Sequence, residues 1–150
     1  MKKISLLFLC IITVVILLTG CNLNDKDKSL DWNESIEKSK KIEVMLPGDS
    51  KAVVTITDSQ EIENFIESLK INEWKLADKP SQAEEQAKYI LYQADTGHLG
   101  ESKKDNTELM EIAYIVTYKD IPYIDLRIKN MSLSFKVPDD TSSYFFNISK

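Results

Sequence analysis

The stretch that decides the fold is residues 110–129, which read MEIAYIVTYKDIPYIDLRIK. Apolar and aromatic residues recur at every second position of its first half and so share one face of a predicted strand: Met110, Ile112, Tyr114, Val116 and Tyr118. In its second half Ile124, Leu126 and Ile128 lie opposite Tyr123, Asp125, Arg127 and Lys129. Only KDIP, residues 119–122, separates the halves. Because parallel strands need a long crossover connection, this short turn predicts an antiparallel pair.

The rest of the chain extends this pair into a sheet covered by helices. Alternating segments predict strands over 41–46, 51–57, 88–94 and 131–137, whereas 71–77 is either a short strand or an extended linker. Asp58 is placed to cap a helix over 59–70, whose apolar residues recur at helical spacing, and a second helix is predicted over 140–149. We expect an α+β fold: a single two-layer domain with a mainly antiparallel, five- to six-stranded meander and two helices on one face.

The N-terminus has the sequence pattern of an export signal. Lys2 and Lys3 precede an uncharged run over residues 4–18, which is shorter than the ~20 residues of a membrane-spanning helix. The run ends in LTGC, residues 18–21, which resembles the lipobox of bacterial lipoproteins. The resemblance implies cleavage between Gly20 and Cys21 and a diacylglyceryl lipid on Cys21. We expect no cofactor besides this covalent lipid. The mature protein would then be anchored at the extracytoplasmic face of the cell membrane without spanning it.

Processing at Cys21 would change the composition of the chain. Residues 1–20 would be removed, residues 21–40 would form a flexible tether, and 41–150 would be the single α+β domain. The mature part holds 17 basic and 24 acidic residues, a formal charge of −7, which argues against nucleic acid as a partner. Its one cysteine is Cys21, so the domain has neither a disulfide nor a free thiol.

Two further segments resemble a known group of proteins. TITDSQEIENFIESL, residues 55–69, and the hairpin over 114–128 are similar to small lipoproteins of Gram-positive bacteria of the YhfM-like type. This resemblance covers most of the domain and implies the same anchored location. It assigns neither an activity nor catalytic residues to this chain.

The sequence disfavours several kinds of active site. His98 is the only histidine and no mature thiol is free, which excludes a metal site built from His and Cys. Asp95 and Gly100 match a calcium-loop spacing, but Gly97, Leu99 and Asn106 stand where ligands belong. The carboxylate pairs 84–85 and 139–140 fit a solvated segment and a helix start better than a catalytic pair, because neither lies within an apolar pattern. We therefore expect a protein that is not an enzyme.

The polar side of the predicted sheet is the better candidate for function. It carries Tyr123, Asp125, Arg127, Ser132, Ser134 and Lys136. This face could bind an envelope protein or a wall polymer, or it could simply be the solvated side of the sheet; the loop 95–108 is a second candidate. We expect a binding or accessory module of the cell envelope. The alternative is a small-ligand carrier or a carboxylate-dependent hydrolase acting on wall polymers, and the oligomeric state stays open.

Overall fold

The computed structural model describes residues 31–94 and 108–150. Within those ranges the chain forms three α-helices and one seven-stranded sheet. The helices are α1 (Asp31–Glu37), α2 (Ser59–Leu69) and α3 (Asp139–Ile148). The strands are β1 (Lys41–Met45), β2 (Val54–Ile56), β3 (Lys75–Leu76), β4 (Glu85–Ala94), β5 (Leu109–Tyr118), β6 (Tyr123–Ile128) and β7 (Met131–Lys136). No helix of the described part is long and apolar enough to cross a membrane.

Neighbouring strands are antiparallel throughout the sheet, in the order β2-β1-β4-β5-β6-β7-β3. The α+β class and the antiparallel pairing are thus confirmed. The expected number of elements is wrong, because five or six strands and two helices were predicted and seven and three are found. Strand β3 lies in the ambiguous segment 71–77 and pairs with β7, far away in sequence. The sheet is therefore not a simple meander.

Helix α2 follows from local sequence signals. The Asp58 carboxylate accepts hydrogen bonds from the backbone N–H groups of Gln60 at 2.9 Å and Glu61 at 3.1 Å, which satisfies donors that a helix start leaves unpaired. The helix ends at Leu69, and Lys70 then adopts a left-handed conformation with φ of 49°. Ile62, Phe65 and Leu69 are buried along one stripe. A single stripe lets α2 pack against one sheet face.

The core lies between the helices and one face of the sheet, which we call the covered face. Phe65 of α2, Tyr89 of β4 and Phe145 of α3 form its aromatic centre, with ring centroids 4.7 Å apart for Tyr89 and Phe145 and 5.8 Å apart for Phe65 and Tyr89. The buried Tyr89 hydroxyl donates to the Phe145 carbonyl at 2.6 Å. The strands contribute Ile42, Val44, Ile56, Ala87, Leu91, Ala113, Ile115, Ile124, Leu126 and Phe135 to this core.

Helix α1 extends the compact unit beyond the expected boundary. Its Ile36 is fully buried in the same core, and the Ser39 hydroxyl donates to the Ile36 carbonyl at 2.7 Å. The compact unit begins at Asp31, whereas the sequence predicted a tether over 21–40 and a domain from residue 41. The sequence signal for α1 was two apolar residues, Trp32 and Ile36, in a polar segment, which is too little to predict burial.

The opposite side of the sheet, which we call the open face, holds part of the apolar set predicted for β5. The register pairs Tyr114 with Arg127 and Val116 with Asp125, so these side chains point away from the core. A register shift in the β4–β5 pair leaves Ile112 without a partner, and Ile112 packs against the core. The prediction that Ile112 shares a face with Tyr114 and Val116 is wrong, because a bulge changes the alternation of side chains.

The connection from β3 to β4 crosses the open face. Because β5, β6 and β7 lie between these two strands, residues 77–84 must connect the two sides of this group of three. The Ala77 N–H donates to the Ser134 carbonyl at 3.1 Å, and the Lys119 N–H donates to the Glu84 carbonyl at 2.9 Å. Lys79 reaches Asp125, whose side chain lies on the open face. This crossover segment, residues 77–84, covers part of the open face at one end of the sheet.

Candidate binding face

The six residues predicted for a binding face lie together on the open face. The register places them as three cross-strand pairs of β6 and β7: Tyr123 with Lys136, Asp125 with Ser134, and Arg127 with Ser132. Cross-strand partners project to the same side of a sheet. Arg127, Ser132 and Lys136 are exposed, whereas Asp125 is buried. The six positions therefore differ in what they can offer to a partner.

Asp125 is the centre of a hydrogen-bonded cluster, the Asp125 cluster, with Lys79, Tyr118 and Ser134. Its Oδ2 accepts from Lys79 Nζ at 2.7 Å and from the Tyr118 hydroxyl at 2.6 Å, while its Oδ1 accepts from the Ser134 hydroxyl at 2.6 Å. Lys79 Nζ also lies 5.0 Å from the centroid of the Tyr118 ring. Both carboxylate oxygens thus accept hydrogen bonds, and Asp125 fixes the crossover segment to the sheet.

The protonation of the Asp125 cluster favours a fixed ion pair. Burial raises the pKa of Asp125, but the hydrogen bonds from Lys79, Ser134 and Tyr118 outweigh it and leave the pKa below its ordinary value. The hydrogen bond that Lys79 donates to Asp125 raises the pKa of Lys79. Burial together with the Asp125 carboxylate raises the pKa of Tyr118 to about 12. A general acid needs a carboxyl with a raised pKa. Asp125 has the opposite property and suits a structural role.

A second group, the Lys88–Tyr114–Arg127 cluster, spans the three central strands of the open face. Lys88 Nζ of β4 lies 3.9 Å from the centroid of the Tyr114 ring, and Arg127 Cζ of β6 lies 5.7 Å from the same centroid. Tyr114 on β5 is thus approached by cations from both neighbouring strands, an arrangement that the electron-rich ring face stabilises. Neither cation forms an ion pair with any carboxylate of the described residues.

A third group lies on β1 and β4 of the open face. Glu43 accepts from Lys41 at 2.9 Å and from the Tyr92 hydroxyl at 2.8 Å, and Lys41 Nζ lies 4.0 Å from the centroid of the Tyr92 ring. The hydrogen bonds from Lys41 and Tyr92 lower the pKa of Glu43, and burial together with Glu43 raises the pKa of Tyr92 to about 12. Here the acid and the base neutralise each other, unlike in the Lys88–Tyr114–Arg127 cluster.

The sequence prediction missed the β4 and β5 side of this face. Lys88 and Tyr114 were assigned to strands but not to the polar surface, and Lys79 was assigned to a loop. Tyr114 belongs to an alternating set that looks apolar, so its position on the open face had no clear signal. The register with Arg127 would have been the clue, since the four-residue turn over 119–122 aligns the two strands.

Several predicted sites lie outside the described residues. These are the signal over residues 1–20 with its cleavage site at Gly20, the lipidation site Cys21, and residues 95–107 with His98. Only Glu108 of the predicted loop 95–108 is described, and it is exposed. Over 31–94 and 108–150, no group of three or more His, Cys, Asp or Glu side chains is placed to hold a metal ion. Asp139 and Asp140 lie in the first turn of α3, as predicted.

Comparisons with models of known protein families, with curated proteins and with solved structures gave no match for this chain. The lipobox and the similarity to YhfM-like lipoproteins therefore stay predictions from the sequence. The arguments about function that follow are based on the N-terminal motif and on the geometry of the open face.

Proposed function

We propose that this chain is a lipid-anchored, extracytoplasmic lipoprotein whose domain is a non-catalytic binding or accessory module for a component of the cell envelope. The open face of the sheet is its binding surface. The observation that carries the proposal is the Lys88–Tyr114–Arg127 cluster, in which two cations flank an aromatic ring and have no acidic partner among the described residues. Cations paired within the protein would have little affinity left for a partner.

The neighbouring Asp125 cluster supports a binding role. Its three hydrogen bonds hold Lys79 and the crossover segment in one position on the open face. A surface held rigid before binding loses less conformational entropy when a partner arrives. The Asp125 cluster thus supplies the frame, and the Lys88–Tyr114–Arg127 cluster supplies the groups that recognise the partner.

The anchor rests on LTGC at residues 18–21 and on the charged and apolar segments before it. The Cys21→Ala variant should be neither lipidated nor cleaved at Gly20, since lipid attachment requires the thiol. Immunoblots of membrane and soluble fractions measure the size and location of the protein. A Cys21→Ala protein with the mature size of the wild type and the same membrane retention would contradict the anchor.

The binding role is tested by chemical crosslinking in intact cells, with analysis of the adducts by mass spectrometry. The anchored wild-type protein is compared with a control that carries only residues 1–30 fused to an unrelated domain, and with the double variant Lys88→Gln/Arg127→Gln. We expect adducts that are specific to the wild type and depleted in the double variant. Adducts equal in all three proteins, or absent from the wild type, would contradict the proposed function.

A further inference from the structure

The unpaired charge of the open face indicates the chemistry of its partner. The chain has 24 acidic residues, yet Lys88 and Arg127 have no carboxylate partner within the described ranges. Arg127 is exposed, and Lys88 is half-buried against the Tyr114 ring. Cations held near each other without a counter-charge raise the local positive potential, which attracts an anion.

The hydrogen-bonding capacity of the same residues narrows the kind of anion. Lysine and arginine side chains only donate hydrogen bonds, and the arginine fork matches two oxygens of a phosphate or a carboxylate. Ser132, which pairs with Arg127 across β6 and β7, adds an exposed hydroxyl. A peptide would bring its own N–H donors and find few acceptors here. A phosphodiester, with charge and acceptor oxygens but no donor, complements this set of groups.

A second pair of cations suggests that the anion repeats along a chain. Lys75 of β3 and Lys136 of β7 are directly opposite each other, and both are exposed. Two like charges directly opposite each other on neighbouring strands destabilise a sheet unless a counter-ion lies nearby. Lys136 pairs with Tyr123, which is four residues along β6 from Arg127, so the two groups of cations are separated by roughly 13 Å along the strands. One anionic group cannot serve both.

The shape of the open face favours a flexible polymer as its partner rather than a flat lipid surface. The crossover segment lies over part of the open face, where its Lys79 engages Asp125 of β6. The open face is therefore stepped. Ile90 and Val116, the apolar residues between its charged groups, are only 6% and 8% exposed and offer little surface for insertion into lipid.

We infer that the open face binds an anionic polymer whose repeating charges are phosphodiester groups, with the Lys88–Tyr114–Arg127 cluster as one subsite and Lys75 and Lys136 as a second. This inference rests on the proposed function, because it takes the open face to be the binding surface. It adds the chemical class of the partner and the residues that contact its charges.

The test is a titration of the full chain, purified in a non-ionic detergent, with fluorescently labelled poly(glycerol phosphate) at low salt, followed by anisotropy. The wild type is compared with Lys88→Gln/Arg127→Gln and with Lys150→Gln. Lys150 is a matched control, because its Nζ lies 4.0 Å from the Phe146 ring centroid on the helical side of the domain. Each charged hydrogen bond lost should weaken binding about tenfold, so the double variant should bind roughly 100-fold more weakly. Lys150→Gln should bind like the wild type.

Polyglutamate and vesicles containing phosphatidylglycerol serve as competing probes. Weaker binding to both than to poly(glycerol phosphate) would support the inference. Tighter binding to either one, or an equal loss of affinity in Lys150→Gln, would overturn it. If the wild type does not bind the polymer while crosslinking in cells still depends on Lys88 and Arg127, only this inference fails. If both signals are absent, the proposed function fails as well.

Discussion

The two faces of the sheet both carry tyrosines, and they use them differently. On the covered face, Tyr89 packs between Phe65 and Phe145, and its hydroxyl is satisfied by the Phe145 carbonyl. Burial raises the pKa of Tyr89 far above its ordinary value, so it stays neutral at any physiological pH. On the open face, Tyr114 is flanked by Lys88 and Arg127.

The difference shows that tyrosine has two roles in this sheet. Tyr89 stabilises the fold on the covered face, whereas Tyr114 on the open face lies between two cations. The Tyr89 ring packs against aromatic rings of α2 and α3, and its hydroxyl is hydrogen-bonded within the core. The neighbours of Tyr114 are cations that solvent can reach. We therefore expect substitutions on the covered face to reduce stability, and substitutions in the Lys88–Tyr114–Arg127 cluster to reduce binding while the protein stays folded.

The largest expected effect is that of Phe65→Ala. Phe65 is fully buried and contacts the rings of Tyr89, Tyr144 and Phe145, so truncation leaves a cavity in the aromatic centre. We expect the free energy of unfolding to fall by about 3–5 kcal/mol. Urea denaturation followed by tryptophan fluorescence measures this. If Phe65→Ala lowers the free energy of unfolding no more than an exposed substitution such as Glu63→Ala, then α2 does not contribute to the packing of the core.

Asp125→Asn should produce an intermediate effect, although Asp125 lies on the open face. The substitution leaves the Lys79 ammonium without its carboxylate partner at a half-buried site, and we expect a loss of about 1.5–3 kcal/mol in the free energy of unfolding. The control is Lys136→Gln, an exposed position on the same face. Equal stability of Asp125→Asn and the wild type would remove the structural role of the Asp125 cluster.

The same substitution should change how stability depends on pH. Because the folded pKa of Asp125 lies below the unfolded value, its contribution is complete above an unfolded pKa of about 3.9 and disappears as the pH falls through the folded value. The difference in stability between the wild type and Asp125→Asn should therefore be largest near neutral pH and shrink under acid conditions. Unfolding curves at several pH values test this, and a difference that grows toward low pH would contradict the lowered pKa.

Tyr89→Phe tests the smaller polar component of the covered face. The ring stays in place, but the Phe145 carbonyl loses its hydrogen bond from the phenol. We expect a loss of about 1 kcal/mol in the free energy of unfolding. Hydrogen exchange should show the loss at the C-terminal end of α3. Exchange that is faster everywhere except in α3 would mean that this hydrogen bond does not secure the helix.

The smallest effect on stability is expected for Lys88→Gln/Arg127→Gln. Lys88 is half-buried, Arg127 is exposed, and neither forms an ion pair within the described part of the chain, so the free energy of unfolding should change by no more than about 0.5 kcal/mol per residue. Thermal unfolding of the purified protein measures this. A large loss of stability would mean that the cluster holds the sheet together, and the contrast between the two faces would disappear.

How much could be predicted from the sequence depended on how local the signal was. Helix α2 was predicted to within a residue, because Asp58 and the stripe through Phe65 lie inside one segment. The hairpin of β5 and β6 was predicted for the same reason. Helix α1 was expected to be part of a tether, and strand β3 was only one of two alternatives for residues 71–77, since Ile36 is buried by distant elements and β3 pairs with β7 at the far edge of the sheet. Tertiary contacts decide such short elements, and local patterns do not contain them.

The candidate binding face was predicted in part for the same physical reason. Alternation along β6 and β7 placed Asp125, Arg127 and Ser132 on one side, and the register agrees. It could not reveal that Lys79, from a loop 46 residues away, engages Asp125. Nor could it assign Tyr114, because both faces of β5 carry apolar or aromatic residues. A strand buried on both faces has no alternation from which its orientation can be inferred.

The most direct test of the central claim compares crosslinking from the two sides of the domain. A photoreactive amino acid is placed at Ser132 on the open face or at Glu63 on the exposed side of α2, each in the full chain in intact cells. The account predicts adducts from Ser132 that disappear in the Lys88→Gln/Arg127→Gln background, and none above background from Glu63. Adducts of equal yield from both positions, or from Glu63 alone, would contradict the claim that the open face is the binding surface.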